Sequence, residues 1–191
     1  MTKTPGILGC LLGLALGFAC AGQNAAPKGS SASEAWKLSD DVQSCVTTGP
    51  EQCFNATDDN CNGVIDEGCG VRTGLIQLAI AWKEPEVDVD LWVIDPAGEL
   101  VEVGQLTESG LTKEQDCPNR SNCFGQNIEN VYLETHKMKR GTYRVRIRLE
   151  NLAGVEPPIE VSFGARLGPR TYSKKLELSE PEEQHELVLK L

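Results

Sequence analysis

The sequence predicts a mainly β protein: an antiparallel β-sandwich, jelly-roll or Ig-like, preceded by a small disulfide-rich metal-binding module. Three observations lead to this fold class. Apolar and polar residues alternate along several segments of residues 72–191, which is typical of strands with one buried face. Turn-forming residues separate these segments, and none of them has a convincing helical period. Upstream, four cysteines stand at eight-residue intervals: Cys45, Cys53, Cys61 and Cys69.

The N-terminal segment predicts export. An apolar run that ends at Ala19 follows Lys3, and it has the length of a signal-peptide core rather than of a transmembrane helix. Residues 1–19 are therefore interpreted as a signal peptide. The segment that ends in Cys20 resembles a bacterial lipobox, which implies that this cysteine carries a lipid. Ordinary cleavage after Ala21, without a lipid, is the alternative.

Residues 20–44 are mostly small and polar, with no sustained apolar period, so they are expected to form a flexible linker. The lipobox resemblance, with no Asp directly after Cys20, favours an outer-membrane lipoprotein. A periplasmic or secreted protein is the alternative. Each of these compartments permits disulfides.

The charge of the chain excludes one class of partner. The chain has 28 acidic and 18 basic residues and a formal net charge of −10, so it has no general attraction to nucleic acid or to an anionic membrane surface. The membrane is expected to be reached only through the lipid anchor. Divalent cations and cationic ligands are the partners that this charge favours.

Residues 45–70 contain few core-forming residues, and disulfides together with a metal are the usual remedy in a module of this size. The run from Asp58 to Gly63 reads D-D-N-C-N-G, which matches the start of a calcium loop whose glycine permits the sharp turn. Cys69 stands where an EF-hand has its last glutamate, so a true EF-hand is excluded. A disulfide knot without an ion is the alternative to calcium. The predicted calcium ligands are Asp58, Asn60, Asn62, Val64, Asp66 and Glu67.

The run from Asp58 to Cys69 resembles the short metal-binding-motif repeats of exported bacterial proteins, which are akin to thrombospondin type 3 calcium repeats. The resemblance covers roughly residues 51–70, and the chain has one extra residue between Cys53 and Cys61. It implies a calcium-binding module. The pairing order of the cysteines is not readable from the sequence.

Residues 72–191 are expected to supply about seven or eight short strands, which favours a β-sandwich. Alternating segments run from Ile76 to Trp82, from Val87 to Val93, from Tyr143 to Leu149, from Ile159 to Leu167 and from Leu187 to Leu191. The second of these ends in a turn with the sequence D-P-A-G.

Two of the predicted strands have charged faces, because side chains alternate along a strand. One carries Asp88 and Asp90, and with Asp95 in the following turn these residues form a candidate second cation site. The other carries Arg144, Arg146 and Arg148. The simpler interpretation is a pair of solvated faces with cross-strand ion pairs. A basic ridge that grips an acidic polymer is a third interpretation.

Four segments of this part resemble the YfaP-like family of exported bacterial domains and, more loosely, pre-peptidase C-terminal domains, some of which bind calcium and mediate adhesion. They are D-V-D-L-W-V, D-P-A-G, E-N-V-Y and G-T-Y-R-V-R-I, which begin at Asp88, Asp95, Glu129 and Gly141. The resemblance covers about residues 74–167. It implies a jelly-roll or Ig-like sandwich with a non-catalytic role.

Cys117 and Cys123 enclose a turn-rich insert, and they are expected to form a disulfide that clamps the loop 104–127. Long ordered loops often carry function. The loop 104–127 is therefore a candidate recognition surface.

The sequence does not favour an enzyme. The chain has two histidines, no serine in a G-x-S-x-G motif, and cysteines that are expected to be paired. No catalytic residue is therefore assigned. We expect a lipid-anchored surface protein that binds calcium through its cysteine-rich module and a protein or glycan ligand at the cell surface through its sandwich. The alternative is a structural accessory subunit of an envelope complex, with calcium only as a structural staple.

Overall fold

The computed structural model describes residues 35–37 (backbone only), 43–118, 123, 126–135 and 137–191. The described residues belong to one compact unit, Ser33–Leu191. The predicted signal peptide, residues 1–19, and the predicted lipidation site, Cys20, lie outside the described residues. Within the described part of the chain, no helix is long and apolar enough to cross a membrane.

Ten strands make up the regular structure of the described residues. In chain order they are β1 (Ala35–Lys37), β2 (Gln43–Ser44), β3 (Ile76–Trp82), β4 (Asp88–Ile94), β5 (Leu111–Gln115), β6 (Ile128–Leu133), β7 (Thr142–Asn151), β8 (Ile159–Leu167), β9 (Arg170–Leu178) and β10 (Gln184–Lys190).

The strands form two sheets. The four-stranded sheet has the order β1-β10-β7-β4, and the six-stranded sheet has the order β2-β9-β8-β3-β6-β5. All neighbouring strands are antiparallel except β1 and β10, which are parallel. The predicted mainly β, antiparallel sandwich is confirmed.

The core lies between the two sheets because each strand turns its apolar positions to the same side. On β4 the buried residues are Val89, Leu91 and Val93, and the residues between them are half-buried. The same alternation on β7 buries Tyr143, Val145, Ile147 and Leu149. Full burial of such a side chain stabilises the fold by about 1.5–3 kcal/mol, so these two strands contribute strongly to the sandwich.

Three short strands lie where the sequence pattern predicted other structure. β1 and β2 fall inside residues 20–44, which were expected to be a linker, and β5 falls inside the predicted loop 104–127. β1, β2 and β5 are the outermost strands of their sheets. An outermost strand is held by main-chain hydrogen bonds to one neighbour, and it therefore needs no apolar period of its own.

One side of the sandwich is spanned by the segment after β4. The carbonyl of Asp95 accepts a hydrogen bond from the N–H of Gly98 at 3.0 Å, and the N–H of Val101 donates to the carbonyl of Val93 at 2.8 Å. Val103 then forms a bridge with Lys113 on β5. The segment therefore runs from the edge strand of one sheet to the edge strand of the other.

Candidate functional site

Two crossed disulfides close the cysteine-framed segment, residues 45–70. They join Cys45 to Cys61 and Cys53 to Cys69, and each spans 16 residues. The sequence left this pairing open. On an entropic model each such bond stabilises by roughly 3 kcal/mol, which compensates for the small apolar content of the segment. The predicted disulfide between Cys117 and Cys123 is confirmed.

The first half of the predicted calcium loop is organised by side-chain oxygens that accept hydrogen bonds from backbone N–H groups. Asp58 Oδ1 accepts from Asn62 at 3.1 Å, and Asp58 Oδ2 accepts from Gly63 at 2.9 Å. Asn60 Oδ1 accepts from Asn62 at 2.9 Å, and Asn62 Oδ1 accepts from Val64 at 3.0 Å. Gly63 has a φ of +92°, a region that favours glycine. These bonds hold the D-D-N-C-N-G run in a tight turn.

The second half of the loop uses its carboxylates differently. Asp66 is fully buried, and its two oxygens accept hydrogen bonds from the N–H groups of Asn55 and Ala56, both at 3.1 Å. Burial raises the pKa of Asp66 in spite of these bonds. Glu67 Oε1 accepts a hydrogen bond from Asn60 Nδ2 at 2.8 Å. The Asp66 carboxylate therefore caps a neighbouring turn.

Among the described residues, one set of three acidic side chains has ligand oxygens within 4.8 Å of one another, and it does not include the predicted loop carboxylates. The structure thus does not gather Asp58, Asp66 and Glu67 into a three-carboxylate cluster. The part of the predicted ligand set that shares one turn is Asp58, Asn60 and Asn62. The role predicted for the Val64 carbonyl stays a prediction.

Sequence reasoning missed two carboxylates that build this segment. Asp59 accepts hydrogen bonds from Thr48 Oγ1 at 2.7 Å, from the Gln52 N–H at 3.0 Å and from Asn55 Nδ2 at 2.9 Å. Burial raises the pKa of Asp59, but these bonds outweigh burial and hold the pKa below its ordinary value. Glu51 Oε2 accepts from the Asp59 N–H at 3.2 Å. Both members of the Asp58-Asp59 pair are buried, and an acidic pair gives no sequence signal of such burial.

The cysteine-framed segment packs on the outer face of the six-stranded sheet. Ala56 and Ile65 form a small buried cluster with residues of β3 and β6. A Cβ on Gly164 of β8 would overlap the Ala56 carbonyl, so glycine permits the close approach. Asp58 Oδ2 also accepts a hydrogen bond from Thr171 Oγ1 of β9 at 2.7 Å. The first predicted calcium ligand is therefore tied directly to the sheet.

The other candidate site is a concave region that we call the edge cleft. It lies on the side of the sandwich where β4 and β5 are the edge strands. Its volume is about 600 Å³, within the usual range for small-molecule sites. Leu100 and Val103 in its lining are 47% and 38% exposed. The charged lining residues are Asp88, Asp90, Glu102, Asp116 and Glu150 on the acidic side and Lys113 and Arg148 on the basic side.

The candidate second cation site is only partly brought together. Asp88 and Asp90 both line the edge cleft. Asp95 is buried at the turn, where its Oδ1 accepts hydrogen bonds from the N–H groups of Ala97 at 2.8 Å and Glu99 at 2.9 Å. In its place, Asp116 and Glu129 have carboxylate oxygens within 4.8 Å of Asp90.

A lysine ammonium already lies in this acidic set. Lys113 Nζ is 2.7 Å from Asp116 Oδ1 and 2.7 Å from Glu129 Oε2. The fully buried Glu129 also accepts hydrogen bonds from the N–H groups of Leu91 at 2.6 Å and Cys117 at 3.2 Å. A buried charge needs such partners. Lys113 is therefore the internal counter-ion of Asp116 and Glu129.

The carboxyl groups at the edge cleft crowd one another. Burial raises the pKa of Glu129 well above its usual range, and Lys113 acts against this shift. Burial lowers the pKa of Lys113, but contacts with Glu129 and Asp116 outweigh burial and raise it, so the ammonium stays protonated. Burial raises the pKa of Glu150, and nearby Asp90 raises it further against the opposing effect of Arg148. The nearby Asp90 carboxylate thus adds to burial in raising the pKa of both glutamates.

The buried ion pair had a sequence signal that was not used. Glu129 is in phase with Val131 and Leu133 on β6, and Lys113 is in phase with Leu111 on β5. Val131, Leu133 and Leu111 belong to the core between the sheets. The inward phase of Glu129 and of Lys113 was therefore a sequence signal of two buried charges, whereas their contact with each other depends on the pairing of β5 with β6.

The arginine face of β7 lies beside the acidic face of β4. Arg148 is the register partner of Asp90, and Arg146 is the partner of Trp92. The guanidinium carbons of Arg146 and Arg148 lie 5.7 and 5.6 Å from the centre of the Trp92 ring, a cation–π geometry. Arg148 also pairs with Glu150 at 3.0 Å. Arg144 of the same face pairs with Glu186 on β10 at 3.4 Å, a cross-strand ion pair of the kind that the simpler interpretation expected.

No family model, no curated protein and no solved structure matches the chain. The fold and the sites themselves therefore define its class: a mainly β sandwich with a disulfide-braced segment on one sheet and an acidic edge cleft on its side.

Proposed function

We propose that this chain is an exported, lipid-anchored bacterial surface protein that binds calcium in its cysteine-framed segment and a ligand on its sandwich, without catalysis. The observation that carries the proposal is the turn from Asp58 to Val64, which is framed by crossed disulfides and organised by three side chains with hard oxygen atoms. Disulfides of this kind form in oxidising compartments, which supports export.

The hydrogen bonds of the loop are compatible with a calcium ion. Asp58 Oδ1, Asn60 Oδ1 and Asn62 Oδ1 each accept one backbone hydrogen bond, and a carbonyl or carboxylate oxygen has a second lone pair to give to a cation. Calcium takes six to eight oxygen ligands. The Val64 carbonyl, Glu67 and water would complete the set. With two amides among the ligands we expect a Kd of ~10⁻⁴–10⁻³ M.

The alternative, an accessory subunit in which calcium is a structural staple, is favoured by one observation. The Thr171 hydroxyl of β9 donates to the same Asp58 carboxylate that organises the loop. An ion at this carboxylate would strengthen the attachment of the cysteine-framed segment to the sheet. The two functions differ in what the sandwich binds, not in where calcium binds.

Calorimetric titration of the oxidised protein with calcium tests the metal site. We expect one site that is lost in Asp58→Asn and retained in the matched variant Asp88→Asn, which removes one carboxylate from the edge cleft. Loss in Asp88→Asn alone would move calcium to the edge cleft. No heat up to several millimolar calcium would overturn the calcium proposal.

Ligand binding separates the two functions. Binding of the oxidised protein to surface glycans or matrix proteins, stronger with calcium than with a chelator, is expected for the surface-binding function. Co-purification with one fixed envelope partner, with no glycan or matrix binding, would favour the accessory function instead.

A further inference from the structure

We infer that the edge cleft is the ligand site of the sandwich and that it binds lysine side chains of a basic peptide segment. This inference rests on the proposed function only in that the sandwich binds a protein ligand. The carrying observation is a cleft of about 600 Å³ lined by five carboxylates and two cationic side chains, next to exposed apolar residues.

Both cationic lining residues are engaged within the protein. Lys113 lies between Asp116 and Glu129 at 2.7 Å from each. Arg148 pairs with Glu150 at 3.0 Å, lies 3.7 Å from Glu182, and stacks on Trp92. Neither is therefore positioned to attract an anion. The acidic lining outnumbers them, and a cleft with low-dielectric walls concentrates the potential of its charges.

The walls of the cleft fit a side chain that has an apolar stem and a charged end. Leu100 and Val103 offer exposed apolar surface, and Glu102 stands between them in the sequence. A lysine side chain has this amphipathic form, with a four-carbon stem and a compact ammonium. A bare divalent cation would leave the apolar surface uncovered, whereas a lysine-bearing peptide covers it.

Trp92 acts as a positioning residue for the acidic wall. Its Nε1 donates a hydrogen bond to Asp90 Oδ2 at 3.0 Å, and Arg146 and Arg148 hold its ring from the neighbouring strand. Asp90 is thereby fixed close to Asp116 and Glu129. Such preorganisation lowers the entropic cost of binding a ligand cation.

Titration of the full-length oxidised chain with a short, end-capped oligolysine peptide tests the inference. The matched peptide has every lysine acetylated on Nζ, which keeps the stem and removes the charge. We expect saturable binding of the lysine peptide, weakened roughly tenfold by Asp90→Asn or Glu102→Gln, and no binding of the acetylated peptide. Glu177→Gln, an exposed acid on β9 outside the cleft, should leave the affinity unchanged.

Each other outcome overturns the inference. Equal weakening by Glu177→Gln would mean attraction to the overall negative charge. Equal binding of the acetylated peptide would mean a purely apolar contact. Competition by calcium that persists in Asp58→Asn and is lost in Asp90→Asn would make the cleft a metal site. Glu102 is exposed, so Glu102→Gln reports on binding even if Asp90→Asn disturbs folding. Lysine-peptide binding that fails while calcium still binds at Asp58 overturns this inference alone.

Discussion

The cysteine-framed segment and the edge cleft both bury carboxylates, and they satisfy them in opposite ways. In the segment, Asp58, Asp59 and Asp66 accept hydrogen bonds from nearby N–H and hydroxyl groups. At the cleft, Asp116 and Glu129 share the ammonium of Lys113. The first solution uses mostly dipoles from the same short stretch of chain. The second adds the full charge of Lys113 to the N–H groups from which Glu129 also accepts hydrogen bonds.

This difference determines how well each region tolerates the loss of one partner of a buried carboxylate. A carboxylate held by N–H groups can exchange one partner for water or a cation, at a cost of about 1.5–3 kcal/mol net for each hydrogen bond to a charged group. A buried ion pair cannot lose one member cheaply, because the other is then left buried and uncompensated. The ion pair of Lys113 with Glu129 should therefore be rigid, and the loop from Asp58 to Gly63 should be adjustable.

Removal of the internal ammonium should give the largest effect. Lys113→Met leaves Glu129 and Asp116 without their counter-ion, and we expect a loss of about 3–5 kcal/mol in the free energy of unfolding. Chemical denaturation of the oxidised protein measures it. The double variant Lys113→Met/Glu129→Gln should recover part of the loss, because the unpaired buried charge is gone. A double variant no more stable than the single one would contradict the assignment of the penalty to that charge.

Removal of a dipole-held carboxylate should cost less. Asp66→Ala leaves the N–H groups of Asn55 and Ala56 without their acceptor. Only the second of these hydrogen bonds is buried, so we expect a loss of about 1–3 kcal/mol in the free energy of unfolding. The same denaturation measurement applies, with Glu67→Ala as the control because Glu67 accepts a single side-chain hydrogen bond in the same loop. A cost for Asp66→Ala as large as that of Lys113→Met would remove the contrast between the two regions.

A substitution where the cysteine-framed segment packs on the sheet should destabilise that segment and leave the edge cleft unaffected. Gly164→Ala places a methyl group against the Ala56 carbonyl, and overpacking of this kind costs about 1–3 kcal/mol. Hydrogen exchange should show faster opening of residues 54–66 with little change at Leu91 and Glu129. Gly154→Ala adds a methyl group with nothing within 4 Å of it, at a positive φ that Gly164 does not have. It should leave the exchange of residues 54–66 unchanged, which shows that the effect of Gly164→Ala comes from the contact with Ala56.

The smallest expected effect is a pH dependence. The pKa of Asp59 lies below its ordinary value because hydrogen bonds outweigh burial. Its contribution to stability is therefore present above the ordinary pKa of an aspartate and is lost as the pH falls through the lowered value. In Asp59→Asn, the free energy of unfolding should fall less between pH 6 and pH 3, roughly the range in which aspartates titrate, than in the unaltered protein. Parallel pH curves for the two proteins would contradict this assignment.

The fold class was predictable because its signal is local. The alternation of Val89, Leu91 and Val93 on β4 appears directly in the sequence, as does the D-P-A-G turn that Gly98 completes. The loop from Asp58 to Gly63 was likewise readable, since its hydrogen bonds join residues within five positions.

The sites that depend on register were not predictable. Glu129 reaches Lys113 only because β6 pairs with β5, and it reaches the Leu91 N–H across 38 positions. Asp95 was grouped with Asp88 and Asp90 by sequence proximity, whereas the turn draws its carboxylate to Ala97 and Glu99. The attachment of the cysteine-framed segment to Gly164 and Thr171 also joins distant parts of the chain.

The crossed pairing of Cys45 with Cys61 and of Cys53 with Cys69 has a topological consequence. Every peptide bond between Cys45 and Cys69 is bridged by at least one disulfide, and those between Cys53 and Cys61 are bridged by both. A protease that cuts once anywhere in this surface segment therefore leaves both fragments covalently joined. Release of the sandwich there requires three cuts, one in each interval between successive cysteines, or one cut together with a reductant.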